Sequence, residues 1–111
     1  MIELIVYEYL NRVLDVPAYM EMPTNPPDEF VLIEKTGSGL ENHLYSAVFA
    51  IQSHAESLYV AAALNESVKE VMPGLAEHAE VASCRLNSDY NYTDGSTKDY
   101  RYQAVFQIYH Y

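Results

Sequence analysis

The sequence predicts a single α+β domain over residues 1–111. The expected architecture is a mainly antiparallel sheet of about four to five strands with two helices on one face, in the order α-β-β-β-α-β-β. Three observations lead there. The length of 111 residues suits one hydrophobic core, and 50% apolar or aromatic residues against 20% charged gives that core enough material to fold. Two stretches repeat their apolar residues with a helical period, while the others are strand-like. The C-terminal stretch can be folded back on itself so that one side becomes apolar and the other polar.

Ile2, Ile5, Val6, Tyr9, Leu10 and Val13 recur at i, i+3, i+4 and i+7, with Glu8 and Arg12 one turn apart on the other side, which predicts a helix over 2–14. Pro17 discourages its continuation, and Ala18–Met22 reads as a short strand before the stiff loop PTNPP at 23–27. Glu29–Thr36 and Asn42–Ser53 are rich in β-formers and should pair as a hairpin. Between them TGSGLEN, with two glycines, reads as a mobile connection.

Ser53-His-Ala-Glu56 has the spacing of a capping box. Behind it Val60, Ala61, Leu64, Val68 and Val71 form an apolar stripe up to Pro73-Gly74, which predicts a second helix over 55–72. Residues 75–81 are left irregular. A hairpin centred on Ser96 sets Tyr90 opposite Tyr102, Tyr92 opposite Tyr100, Leu86 opposite Phe106 and Cys84 opposite Ile108. Arg85, Asn87, Asp89 and Asn91 then share the polar face with Arg101, Gln103 and Gln107.

Sixteen acidic residues against six basic ones leave a net charge of −10, which repels nucleic-acid phosphates and argues against sequence-specific DNA or RNA binding. Cys84 is the only cysteine, so an intrachain disulfide and a cysteine-based metal knuckle are both excluded, and a reducing compartment is expected. The N-terminus has neither a basic start nor a small-residue cleavage site, and no apolar run reaches the ~20 residues that cross a bilayer. A soluble protein made in the cytosol, with no membrane partner, is the expectation.

Chemistry-bearing constellations are weak. No two of the histidines at 43, 54, 78 and 110 have the spacing that puts two imidazoles on one helical face, so no metal site is expected. Asp28-Glu29 and Glu77/Glu80 lack a partner that would tune them as acid and base, and neither a GxSxG elbow nor a phosphate-cradling glycine loop is present. No catalytic residue, no cofactor and no enzymatic activity are therefore expected. Eleven tyrosines are many for this length; Tyr109 and Tyr111, on the otherwise polar face, suit either core packing or a protein interface.

The opening helix ending LDVPAYMEMP, the strand VLIEKTGSGLENH, the run AVFAIQSHAESLYVAAALNESVKEVM and the closing LNSDYNYTD…YRYQAVFQIYHY together cover nearly the whole chain. In these segments the chain resembles the small tail-terminator or tail-completion proteins of long-tailed, non-contractile bacteriophages and prophages. The resemblance implies a homo-oligomeric ring, usually a hexamer, that caps a finished tail tube, stops its growth and offers a joint to the head-completion or connector protein. It implies a place in the virion neck, with assembly in the host cytoplasm and no catalytic residue. The contacting segment it suggests is Thr36, Gly37, Ser38, Gly39, Leu40, Glu41 and Asn42, to which the exposed-tyrosine argument adds Tyr109 and Tyr111. A non-enzymatic adaptor and a small-ligand-binding or enzymatic α+β domain are the alternatives.

Overall fold

The computed structural model describes residues 1–111. Helix α1, Ile2–Val13, buries Ile2, Val6 and Leu10, one residue per turn along a single stripe. The chain then turns under Asn11, whose side chain donates to the Ala18 carbonyl (3.1 Å) and accepts from the Ala18 amide (3.0 Å). That clamp starts β1, which is only Ala18–Tyr19 and pairs parallel with Val31–Leu32. The expected strand through Met22 is therefore cut short. Its remaining residues lead into the proline segment, whose prolines supply no ladder amides.

Strand β2 is Phe30–Glu41 and β3 is Leu44–His54. The expected mobile glycine connection at 36–42 is not a loop: β2 runs through it, and neither Gly37 nor Gly39 has a positive φ. Pairing simply continues beyond a bulge between Lys35 and Gly37, as far as Glu41 opposite Leu44. The reversal is confined to Asn42 and His43, with φ of 49° and 68°. Two left-handed residues are the type I′ geometry that matches the twist of a tight hairpin. A Cβ at Gly39 would sit 3.0 Å from Ser46 Oγ, so glycine there lets the two strands keep close register.

Helix α2, Leu58–Val71, begins later than the capping-box reading. Its cap is Ser57, whose hydroxyl accepts from the Val60 amide (3.2 Å), because β3 carries Ser53 and His54 on as ladder partners of Val31 and Phe30. A 3-10 helix, Met72–Glu77, follows through the expected Pro73-Gly74 stop and into the start of the 75–81 stretch expected to be irregular, and it buries Met72 and Leu75. Strands β4, Val81–Asn91, and β5, Arg101–His110, complete a five-stranded sheet of order β1-β2-β3-β5-β4. The fold is thus α+β in the expected order of elements, with the short β1 pairing as its parallel exception. Both helices cover the same side, where Val6, Leu10 and Val68 meet Phe49, Phe106 and Ile108 in one core.

The C-terminal hairpin follows the expected register only at its base, where Cys84 faces Ile108 and Leu86 faces Phe106. A bulge between Leu86 and Ser88 shifts every later pair by one, so that Tyr90 lies opposite Gln103 and Asn91 opposite Tyr102. The tyrosine ladder is not formed, and Tyr92 is exposed beyond the end of β4. The reason lies in α2: the shift swings Asp89 from the polar face to the helix side. There Asp89 Oδ2 accepts from Asn65 Nδ2 (2.9 Å) and Lys69 Nζ (3.1 Å). Asn65 is buried, and its amide needs that acceptor.

Candidate protein interface

The molecule measures 43 × 25 × 24 Å, and the arm formed by the distal halves of β2 and β3 makes one of its poles. Side chains alternate across this arm. On the helix side Leu40, Tyr45, His110 and Val81 form one rung, and on the open side Gly39, Ser46, Tyr109 and Ser83 form the next. Tyr109 and Tyr111 thus meet the 36–42 segment at one pole despite lying about seventy residues away along the chain. The Tyr109 hydroxyl donates to Glu41 Oε2 at 3.4 Å. Tyr111 follows the end of β5, its amide donating to the Glu80 carbonyl (3.0 Å), and it borders the groove next to α1 instead of continuing the polar face expected for it.

Between this rung and the first turn of α1 lies a groove of about 710 Å³, bordered by Met1, Ile5, Leu40, Tyr45, His110 and Tyr111. Tyr45 and His110 stack at 5.6 Å. Leu40 and Tyr111 are 63% and 68% exposed, leaving apolar surface in water that burial against a partner would remove. The groove's one ion pair is internal. Lys35 Nζ lies 3.0 Å from Glu3 Oε2, and this hydrogen bond holds the Glu3 carboxyl below its usual range.

The other end of the sheet carries a chain of polar side chains that no sequence motif signals. Asp99 Oδ1 lies 3.4 Å from His54 Nδ1, and His54 Nε2 lies 3.1 Å from Gln52 Oε1. Gln52 then bonds Gln103 (2.9 Å), and Gln103 bonds the Tyr90 hydroxyl (2.6 Å). His54 is 3% exposed and stacks on Phe30 at 4.6 Å. Burial pushes it below the ordinary histidine range, and the facing Asp99 only partly offsets that. A carboxylate orienting an imidazole is the arrangement of a general base, but here the far nitrogen is engaged by Gln52 inside the sheet, so the pair ties strands and loop together. The only clue in the sequence was a histidine ending an apolar strand.

The remaining residues weighed for chemistry lie apart. His43 sits in the arm turn, His54 at the opposite end, His78 before β4 and His110 in the groove rim; no three histidine, cysteine or carboxylate side chains converge. Burial pushes the Cys84 thiol up to about 12, which leaves it protonated and unreactive. Asp28 does acquire a partner, Glu56, whose pKa it raises, and both lie on an exposed surface. No helix is long and apolar enough to cross a membrane. No protein-family model and no curated protein matches the chain.

Proposed function

We propose that the protein is a ring-forming tail-completion subunit of a long-tailed phage or prophage. In this reading it caps the tail tube, ends its polymerisation and joins it to the head connector. The observation that carries it beyond the sequence resemblance is the gathering of the 36–42 segment, Tyr109 and Tyr111 at one uncovered pole. Exposed tyrosine and leucine around a concave surface suit a protein partner better than water does. The net charge of −10 agrees with a ring through which DNA must slide without adhering. The pole's partners would be the tail-tube protein or a neighbouring subunit.

Particles assembled without this protein test the reading by electron microscopy. Overgrown or headless tails are expected, restored to normal by the wild-type chain and not by Tyr111→Asp, whose charge would enter the groove rim. Tails of normal length joined to heads in its absence would overturn the function. A small-ligand reading has one supporting observation, the groove itself. The space between sheet and helices is filled by core side chains, and the groove at that pole, about 710 Å³, is roomier than the groove of about 390 Å³ between the end of α1 and α2.

A further inference from the structure

α1 packs on β1 and the 3-10 helix, and α2 on β3 and β5, so the two helices are supported separately. A second groove, of about 390 Å³, lies between the last turn of α1 and α2, at the opposite end of α1 from the pole. The apolar stripe of α2 is wider than the sheet needs. Ala61, Leu64 and Val68 are buried, whereas Val60 and Val71 are only half-buried and line this groove with Ala63. Across from them stand Val13, 37% exposed, and the half-buried Leu14 and Val16. Apolar surface is thus left in water on both walls of one concavity.

The charges around the groove are all of one sign. Asp15, Glu29 and Glu70 border it, no lysine or arginine does, and none of the three carboxylates is in an ion pair. Arg12, the nearest cation in sequence, lies over the Tyr9 ring at 5.5 Å. Crowding of acids continues past Glu29, where repulsion from Asp28, and less from Glu29, raises the Glu56 carboxyl above its usual range. An uncompensated negative rim around an apolar floor favours a partner that is apolar on one face and cationic at its flanks.

The walls also select the partner's backbone. No lining residue belongs to a strand, so an extended peptide finds no ladder to join here, whereas a helix brings its own backbone hydrogen bonds. A second copy is poorly suited. Each copy carries a net charge of −10, and Lys35, Lys69 and Arg101 are already ion-paired.

We propose that the groove between α1 and α2 docks a basic amphipathic helix of a different protein, its apolar face against Val13, Val60 and Val71 and its flanking lysines or arginines against Asp15, Glu29 and Glu70. This surface is separate from the pole, and the inference does not rest on the phage reading.

Fluorescence anisotropy with the full chain tests it. The probe is a labelled peptide of about 15 residues with leucines at i, i+3, i+4 and i+7 and lysines at the flanks. It should bind the wild-type chain, more weakly as salt rises. A peptide with glutamates in place of the lysines, and one of the same composition with the leucine spacing scrambled, should bind at least about ten-fold more weakly. Ala63→Arg, on the groove wall, should weaken the lysine peptide about ten-fold, and Glu29→Lys and Glu70→Lys about five-fold each. All three positions are exposed, and circular dichroism checks that each variant is folded. Glu34→Lys makes the same charge change on the face of the sheet away from the helices and should leave binding unchanged. No binding of the lysine peptide, equal binding of the scrambled one, or binding that Ala63→Arg leaves intact overturns the proposal. Losses as large from Glu34→Lys as from Glu70→Lys overturn it too, since net charge alone would then account for them. Sedimentation of the protein alone covers the remaining occupant: self-association abolished by Ala63→Arg would mean that a second copy fills the groove, which also overturns the proposal.

Discussion

The two hairpins of this protein reverse direction in different ways. β2–β3 closes through two residues, Asn42 and His43, and the arm behind that turn is held by backbone pairing with little burial. β4–β5 closes through residues 92–100, a connection bound down by side chains. Thr93 Oγ1 accepts from the Arg101 amide (3.2 Å), Asp94 Oδ1 accepts from the Ser96 amide (3.1 Å), and Asp99 reaches both Arg101 (3.0 Å) and His54 (3.4 Å). One end of the sheet is therefore closed by an internal polar network, and the other leaves leucine, tyrosine and strand edges without partners. Polar groups satisfied internally have little left to offer a partner, whereas the arm has unmet contacts on both faces. That contrast places the candidate interface at the arm.

The strongest way to sharpen the comparison is to remove bulk from the part both hairpins share. Phe106 is fully buried between Phe49 and Leu86, and Phe106→Ala should cost about 3–5 kcal/mol in a urea titration. Leu40→Ala in the arm should stay within about 0.5 kcal/mol of wild type. Similar losses for the two would mean that the arm is part of the core.

A second test acts on the closed end. His54 is held below its unfolded value near 6.5, so between those two values the unfolded chain binds the extra proton. Its contribution is complete above 6.5 and is lost as pH falls through the folded value. Stability measured downward from pH 7 should therefore decline, and His54→Asn should flatten that portion of the curve. An unchanged slope in the variant would show that the loss comes from carboxylates instead.

The smallest effect belongs to the arm turn. His43 holds a φ of 68°, a conformation that glycine adopts without a Cβ clash. His43→Gly should raise stability by about 0.5–1 kcal/mol. No gain would indicate that the arm tip opens separately from the rest of the sheet, as weakly buried segments can.

Where periodicity operates within a contiguous stretch, the sequence was sufficient. It determined the α1 stripe of Ile2, Val6 and Leu10, the apolar stripe of α2, the antiparallel pairing of Glu29–Thr36 with the strand that follows it, and the facing of Cys84 and Leu86 by Ile108 and Phe106. These depend on spacing that any local window contains. What the tertiary structure alone decided involves a distant partner each time. Asn65 and Lys69 favour a bulge that turns Asp89 inward, and continued pairing with β3 converts TGSGLE from loop into strand. The ladder beside Phe30 claims Ser53 and His54 and moves the helix cap to Ser57. Nor could local spacing show Tyr109 and Tyr111 joining the arm, because the order β2-β3-β5-β4 is what sets them together. Side-chain period is a property of a segment, but register, bulges and polar satisfaction are properties of pairs of segments, and they exist only once the chain has folded.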